Sequence, residues 1–285
     1  MKLENMQRTG AFKVRGAMNK IATLTPAERA AGVVTASAGN HAQGVALAAA
    51  QLGIPSIVVM PSGAPEAKIV ATEGYGSKVI LHGTSYDDAY EEALRISRAE
   101  GATLVHAFND PLVIAGQGTV GLELLDDLPN VDAILVPVGG GGLISGIALA
   151  AKTVRPDIRI IGVQPTSASS GHDSWRSRSM VRVEKPTSVA DGLLVKRPGD
   201  LTLPMMLKYV DDFVLVSEEE IAEAMVMLLE RAKVLAEGAG AVCLAAVMNR
   251  SLGLEKRNVA LVLSGGNVDL LRWAHTLSPR TVHHA

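Results

Sequence analysis

Lys13 stands in the stretch "TGAFKVRGA" (9–17), hemmed in by Gly10, Ala11, Phe12, Val14 and Gly16. With Thr9 as the cap of a helix start, i, i+3, i+4 spacing makes Val14, Ala17, Met18, Ile21 and Leu24 the buried stripe. Lys13 then lies on the margin of that stripe, near the positive end of the helix. Desolvation and the helix dipole both disfavour an ammonium there and lower its pKa. An amine in that state suits Schiff-base chemistry. An isolated lysine is read first as a stem laid along apolar surface; its companion loops shift the balance towards chemistry.

The first companion is "AILVPVGGGGLISG" (133–146), a strand, four glycines and a helix start. Gly139, Gly140, Gly141 and Gly142 allow close backbone approach, and the helix N-terminus supplies free N–H groups and a positive dipole end. That combination binds phosphate, whereas a tight turn alone needs one glycine. The dinucleotide fingerprint is absent: its third glycine falls on Ile144 or Ser145, and the next strand ends at Gln164 rather than at an acid. In "TASAGNHAQG" (35–44), Ser37, Ala38 and Gly39 offer successive N–H groups to a carboxylate, and Asn40 offers a two-sided amide. The same residues also read as an ordinary N-cap, and His41 as a structural histidine. "LVLSGGNVDL" (261–270) ends a strand at Ser264, which caps the next helix or bonds a ligand ring. Glu237, in "LAEGAGAVCLAA" (235–246), reads as a solvated helix-end acid. A lysine beside a phosphate cup is what pyridoxal phosphate requires.

These loops must be held by the elements between them. β-Branched runs at 32–36, 56–60, 78–82, 103–108, 133–138, 159–163 and 259–263 alternate with helical stretches at 41–52, 85–99, 115–127, 143–154 and 218–233. That alternation predicts an α/β fold of two open parallel sheets with helices on both faces. The boundaries expected are a small domain over 35–112 and a large cofactor-binding domain from 1–34 and 113–285. Residues 167–200 show little periodicity and read as irregular surface or a flap. Parallel sheets place ligands beyond the carboxyl ends of their strands, where three of the loops fall.

Composition narrows the function. Over 285 residues the chain is 48% hydrophobic and 20% charged, but only 3% aromatic, with 28 glycines. A net charge of −2 and few stacking rings argue against a nucleic-acid partner. The start "MKLENMQRTG" has no apolar signal region, and "VALAAAQLGIPSIVVMP" is broken before it could span a bilayer. The single cysteine, Cys243, forms no internal disulfide and is expected in a core. A cytoplasmic location and a small-molecule substrate are expected. No metal-ligand spacing and no G-x-S-x-G occurs.

"GAFKVRGA", "SAGNHAQG", "VPVGGGGL" and "LSGGN" together, in this order, closely resemble the threonine/serine dehydratases of the tryptophan-synthase-β-like, fold type II pyridoxal phosphate enzymes. The resemblance spans nearly the whole chain. It implies that Lys13, beside Phe12, forms the imine with the cofactor and then removes the substrate α-proton. It also implies that Asn40 bonds the cofactor's phenolic oxygen, that the amides of Gly139 to Gly142 and Leu143 hold the phosphate, and that Ser264 meets the pyridine nitrogen. Ser37, Ala38, Gly39, Asn40 and His41 would grip the substrate carboxylate. A serine at the ring nitrogen does not stabilise a protonated ring, which favours β-elimination over transamination. The implied reaction converts L-threonine or L-serine into 2-oxobutanoate or pyruvate and ammonia.

Serine racemases share much of this pattern but carry a second serine where this chain has Ala38. Their divalent-cation site uses acids where this chain has Gln164, Ala168 and Ser170, so no tight Mg²⁺ or Ca²⁺ is expected. Cysteine synthases differ in the "SAGNHAQG" loop. Arg8, Thr9, Gln43 and Asn267 align with positions that hold a nucleotide effector in some relatives. The resemblance further implies a homodimer or homotetramer, without the C-terminal regulatory domain of biosynthetic threonine deaminases. Relatives carry a segment before "KLENMQRTG", so the N-terminal segment of the family is read as missing. A truncated remnant that binds cofactor without catalysis is therefore the alternative outside the enzyme class.

Overall fold

The computed structural model describes residues 1–249 and 252–269. The chain opens with β1 (Lys2–Leu3), α1 (Lys13–Ala22), α2 (Pro26–Ala31), β2 (Val33–Ala36) and α3 (Asn40–Gln51). β3 (Ser56–Met60), α4 (Glu66–Gly74), β4 (Lys78–Leu81), α5 (Tyr86–Glu100) and β5 (Thr103–Leu104) follow. Next come α6 (Pro111–Asp127), β6 (Ala133–Pro137), α7 (Gly142–Val154), β7 (Arg159–Pro165), α8 (Ser170–Ser177) and α9 (Thr202–Tyr209). β8 (Asp212–Val216), α10 (Glu218–Met227), α11 (Gly238–Asn249) and β9 (Val259–Leu263) complete the described elements.

Two all-parallel sheets result, one ordered β4-β3-β2-β5 and the other β1-β9-β6-β7-β8. Their central strands are apolar on both faces, as sheets covered on both sides demand. In β6, Ile134 and Val136 pack with α6, α7 and α9, while Leu135 points the other way into the cluster of α10 and α11. In the smaller sheet, Val33 joins Ala17, Ile21, Val45 and Ala48 from α1 and α3, and Val34 joins Ala89, Ala93 and Ile96 of α5. The α/β class and the paired parallel sheets agree with the expectation. Cys243 is fully buried, as expected.

Several boundaries differ. Phe12, not Thr9, is the N-cap of α1; the Thr9 hydroxyl instead donates to the Ala11 carbonyl at 3.3 Å. Of the expected stripe, Ala17, Ile21 and Leu24 are buried, whereas Val14 and Met18 are half-buried. The strand expected over 103–108 ends at Leu104, because His106 organises a turn beyond it. The helix expected over 218–233 ends at Met227 and passes into a wider π turn at Leu228–Ala232. Within 167–200, α8 is regular, which the sequence reading did not foresee.

α6 and α7 cross at backbone contact, and this crossing fixes where α7 begins. A Cβ on Gly146 would lie 2.2 Å from the Ile114 carbonyl and 2.7 Å from the Gly118 nitrogen. Neither neighbour is a flexible side-chain end, so Gly146→Ala is expected to cost about 3 kcal/mol and lower Tm by about 6 °C or more. Thermal denaturation checks this, with Gly74→Ala as control because nothing lies within 4 Å of a Cβ there.

Candidate active site

Between the carboxyl ends of the two sheets lies a cavity of about 740 Å³, within the range of small-molecule sites. Lys13, the 37–41 loop, the 139–143 turn, Glu237 and Ser264 all line it. Four expected groups of residues, far apart in sequence, therefore meet. α1 is tied to the end of β9 by the Phe12 N–H, which donates to the Ser264 carbonyl at 3.1 Å, and by bridging of Ala11 to Gly265. The first residue of α1 is thereby held at the cavity wall.

The Lys13 ammonium donates to the Ala107 carbonyl at 3.0 Å and lies 5.0 Å from the Phe12 ring centroid. Burial brings its pKa down to about 8, against the pull of the Glu237 carboxyl. A useful fraction of neutral amine is then present near neutral pH, as an amine that forms imines and moves protons requires.

Gly141, at φ +91°, caps α7, and the N–H groups of the helix's first turn have no intrahelical acceptor. The cradle is shaped by Phe108. A Cβ on Gly140 would lie 2.4 Å from the Phe108 ring, and one on Gly142 would lie 2.9 Å from the Phe108 backbone. The Gly140 carbonyl turns away from the cradle to accept from the Thr202 hydroxyl at 2.6 Å and the Gly199 N–H at 3.2 Å.

The 37–41 loop departs from the expected row of free donors. The Ser37 N–H donates to the Val59 carbonyl at 3.1 Å, and the Gly39 N–H donates to the Ser37 hydroxyl at 3.2 Å. Both groups are thus engaged, which leaves the N–H groups of Ala38 and of Asn40 and His41, in the first turn of α3, at the cavity wall. One nitrogen of the His41 ring is taken up by the backbone: its Nε2 lies 2.9 Å from the Val105 carbonyl. Burial holds that imidazole down to about 3, with the Lys13 charge adding to the effect.

Asn40 and Ser264 are both in place. Asn40 Nδ2 donates to Glu237 Oε1 at 2.7 Å, and Asn40 Oδ1 accepts from Asn267 Nδ2 at 2.9 Å. The Ser264 hydroxyl is buried and donates to the Ala239 carbonyl at 3.2 Å. The four residues considered for an effector do not line this cavity. Arg8 is exposed and Thr9 and Gln43 are buried, while Asn267 Nδ2 also donates to the Thr9 carbonyl at 2.7 Å. Among the described residues no cluster of His, Cys, Asp and Glu is arranged to hold a metal ion, and no helix is long and apolar enough to cross a membrane.

Glu237 corrects the sequence reading. It is not a solvated acid but a buried one, raised to about 8 by burial and by Asp191, and opposed by the Asn40 amide and Lys68. A signal was present: between Lys233 and Arg250 it is the one ionisable carboxyl or cation in an apolar run. Its proton has a consequence for stability. Between its ordinary 4.5 and about 8, Glu237 is protonated when folded and ionised when unfolded. The stability it contributes is therefore complete below pH 4.5 and lost as pH rises through about 8. His41 and His106, held to about 3 and about 4, act in the opposite sense and gain stability as pH rises to 6.5. Comparison with Glu237→Gln, which does not titrate, cancels the histidines. Between pH 5 and 8 the wild type is expected to lose roughly 3 kcal/mol relative to that variant, measured by urea denaturation of the apoprotein.

The site fits pyridoxal phosphate on these observations: a half-buried amine with a lowered pKa, a helix N-terminus whose cradle leaves no room for a Cβ at Gly140, Gly141 or Gly142, and side-chain donors between them. Residues 1–265 match the family model described as pyridoxal-phosphate dependent enzyme. The L-threonine ammonia-lyase of Thermotoga maritima is 57% identical over 270 residues, which is 95% of this chain and 67% of that protein. The catabolic L-threonine dehydratase TdcB of Escherichia coli K12 is 48% identical over 274 residues, 95% of this chain and 83% of that one. Among solved structures, maize serine racemase matches with a TM-score of 0.91 and 40% identity, covering 99% of this chain and 87% of that one.

Proposed function

Because the chain belongs to the family of pyridoxal-phosphate dependent enzymes, we propose that it eliminates water and ammonia from L-threonine to give 2-oxobutanoate. L-Serine, giving pyruvate, is the second substrate of this reading. The observation that carries it is the cavity shared by the Lys13 amine and the glycine cradle, in a chain more similar to threonine ammonia-lyases than to the racemase.

The cofactor supplies an aldehyde for imine formation with amines and an electron sink for the α-carbon. The residues of this chain do the rest. Lys13 anchors the cofactor and, as a neutral amine, accepts the substrate α-proton at Nζ. The N–H groups of Gly139 to Leu143 hold the phosphate with the help of the α7 dipole. The N–H groups of Ala38, Asn40 and His41 take the substrate carboxylate at the start of α3. Asn40, held on both sides by Glu237 and Asn267, presents its remaining amide hydrogen in one orientation. Ser264 would turn its neutral hydroxyl from the Ala239 carbonyl to donate to the ring nitrogen.

The same reading takes the enzyme to be a cytoplasmic homodimer or homotetramer acting on a free amino acid; light scattering of the holoenzyme measures the oligomer. Serine racemisation is the second reading, supported by the fold match to maize serine racemase. Incubation of the purified holoenzyme with L-threonine and with L-serine separates the two. Release of 2-oxobutanoate and pyruvate supports elimination. Accumulation of D-serine with little keto acid overturns it.

A further inference from the structure

His106 accepts two successive backbone N–H groups at one ring nitrogen. The Phe108 N–H reaches His106 Nδ1 at 3.1 Å and the Asn109 N–H reaches it at 2.9 Å. A carboxylate, amide or hydroxyl usually closes such a turn. A histidine does so only as the neutral tautomer with its proton on Nε2. The ring is gripped on both sides, edge-on to Phe108 at 4.6 Å between centroids and to Tyr90 at 5.6 Å. Burial and the Lys13 charge hold it near pKa 4, so the Nδ1 lone pair is free to accept at neutral pH.

The turn it closes touches both halves of the site. The Ala107 carbonyl accepts from Lys13 Nζ, and the Phe108 ring covers Gly140 so closely that no Cβ would fit. Asn109 Oδ1 accepts from the Leu201 N–H at 2.9 Å and fastens the turn to the chain beyond the cavity. We propose that His106 is a positioning residue, whose Nδ1 locks this turn and so sets the Lys13 amine and the glycine cradle at a fixed separation. The proposal rests on the reading of the cavity as the cofactor site. Asparagine can place an acceptor oxygen near the position of Nδ1; phenylalanine keeps the aromatic packing and has no acceptor.

The test compares wild type, His106→Asn and His106→Phe in three measurements. Long-range ¹⁵N–¹H spectra of the wild type read the tautomer, amide exchange reads the Phe108 and Asn109 N–H groups, and titration of the apoenzyme with pyridoxal phosphate reads affinity. Expected are an unprotonated Nδ1 with Nε2–H, slow exchange at both amides, and affinity weakened about tenfold or more in His106→Phe but recovered to within about threefold in His106→Asn. A proton on Nδ1, or equal affinity in all three proteins, overturns the proposal. Should His106→Phe fail to fold, the wild-type tautomer and the affinity of His106→Asn still decide. Should the wild type bind no pyridoxal phosphate, the functional reading falls, whereas tautomer and exchange still judge the lock by themselves.

Discussion

Lys13→Ala is expected to lower keto-acid release from L-threonine by at least about 10⁴-fold and to leave the purified protein colourless. Two functions are lost together: attachment of the cofactor and acceptance of the α-proton. The effect is separable from misfolding. A desolvated ammonium is costly, so its removal leaves the fold at least as stable, and the Tm of the variant apoprotein is expected to equal or exceed that of the wild-type apoprotein, both stripped of cofactor. Lys13→Arg is expected to be as inactive as the alanine variant, because a guanidinium keeps its proton at any working pH and forms no imine with an aldehyde. A rate within tenfold of wild type in either variant would place the reacting amine elsewhere.

Gly140→Ala is expected to weaken pyridoxal phosphate binding by about 10²-fold, with a loss of stability of about 1–3 kcal/mol. Its Cβ would lie 2.4 Å from the Phe108 ring. That ring is wedged against His106, so the 106–109 turn must shift and carry the Ala107 carbonyl away from Lys13. Gly139→Ala provides the graded comparison. There the nearest atom, the Gly192 carbonyl oxygen, is 3.3 Å away, and an adjustment of a few tenths of an ångström suffices. Its effect on affinity is expected to stay below about tenfold. Equal affinities for the two variants would mean that Phe108 does not shape the cradle.

The parts of this molecule legible in the sequence are those whose signal is local. β3 and β9 are short apolar runs bounded by turn residues, and the structure places them at 56–60 and 259–263, as read. The glycine turn was legible because four glycines at a strand end have few purposes. β8 was passed over because it begins with an aspartate that follows another. Those acids secure it: Asp211 accepts from the Ile160 N–H at 2.7 Å, and Asp212 accepts from the Phe213 N–H at 2.8 Å. α11 is buried on nearly every side and rich in glycine and alanine, so it shows no amphipathic period to read.

The site residues that escaped are those defined by long-range neighbours. Glu237 looks like a solvated helix-end acid until the fold brings Asn40 to 2.7 Å from its carboxyl. His106 lies in a run that reads as strand, and its turn exists only because a side chain outcompetes the sheet for two N–H groups. The Ser37 and Gly39 donors were misassigned for the same kind of reason. β3 supplies the Val59 carbonyl and the Ser37 hydroxyl folds back, and neither partner can be deduced from "SAGN" alone.

Everything proposed for this cavity depends on the amine of Lys13 being the one that bonds the cofactor. Borohydride reduction of the purified holoenzyme, followed by proteolysis and mass mapping, tests that bond most directly. A reduced pyridoxyl adduct is expected on the peptide containing Lys13 and on no other. An adduct on a different lysine, or none in a protein that still releases 2-oxobutanoate, would contradict it.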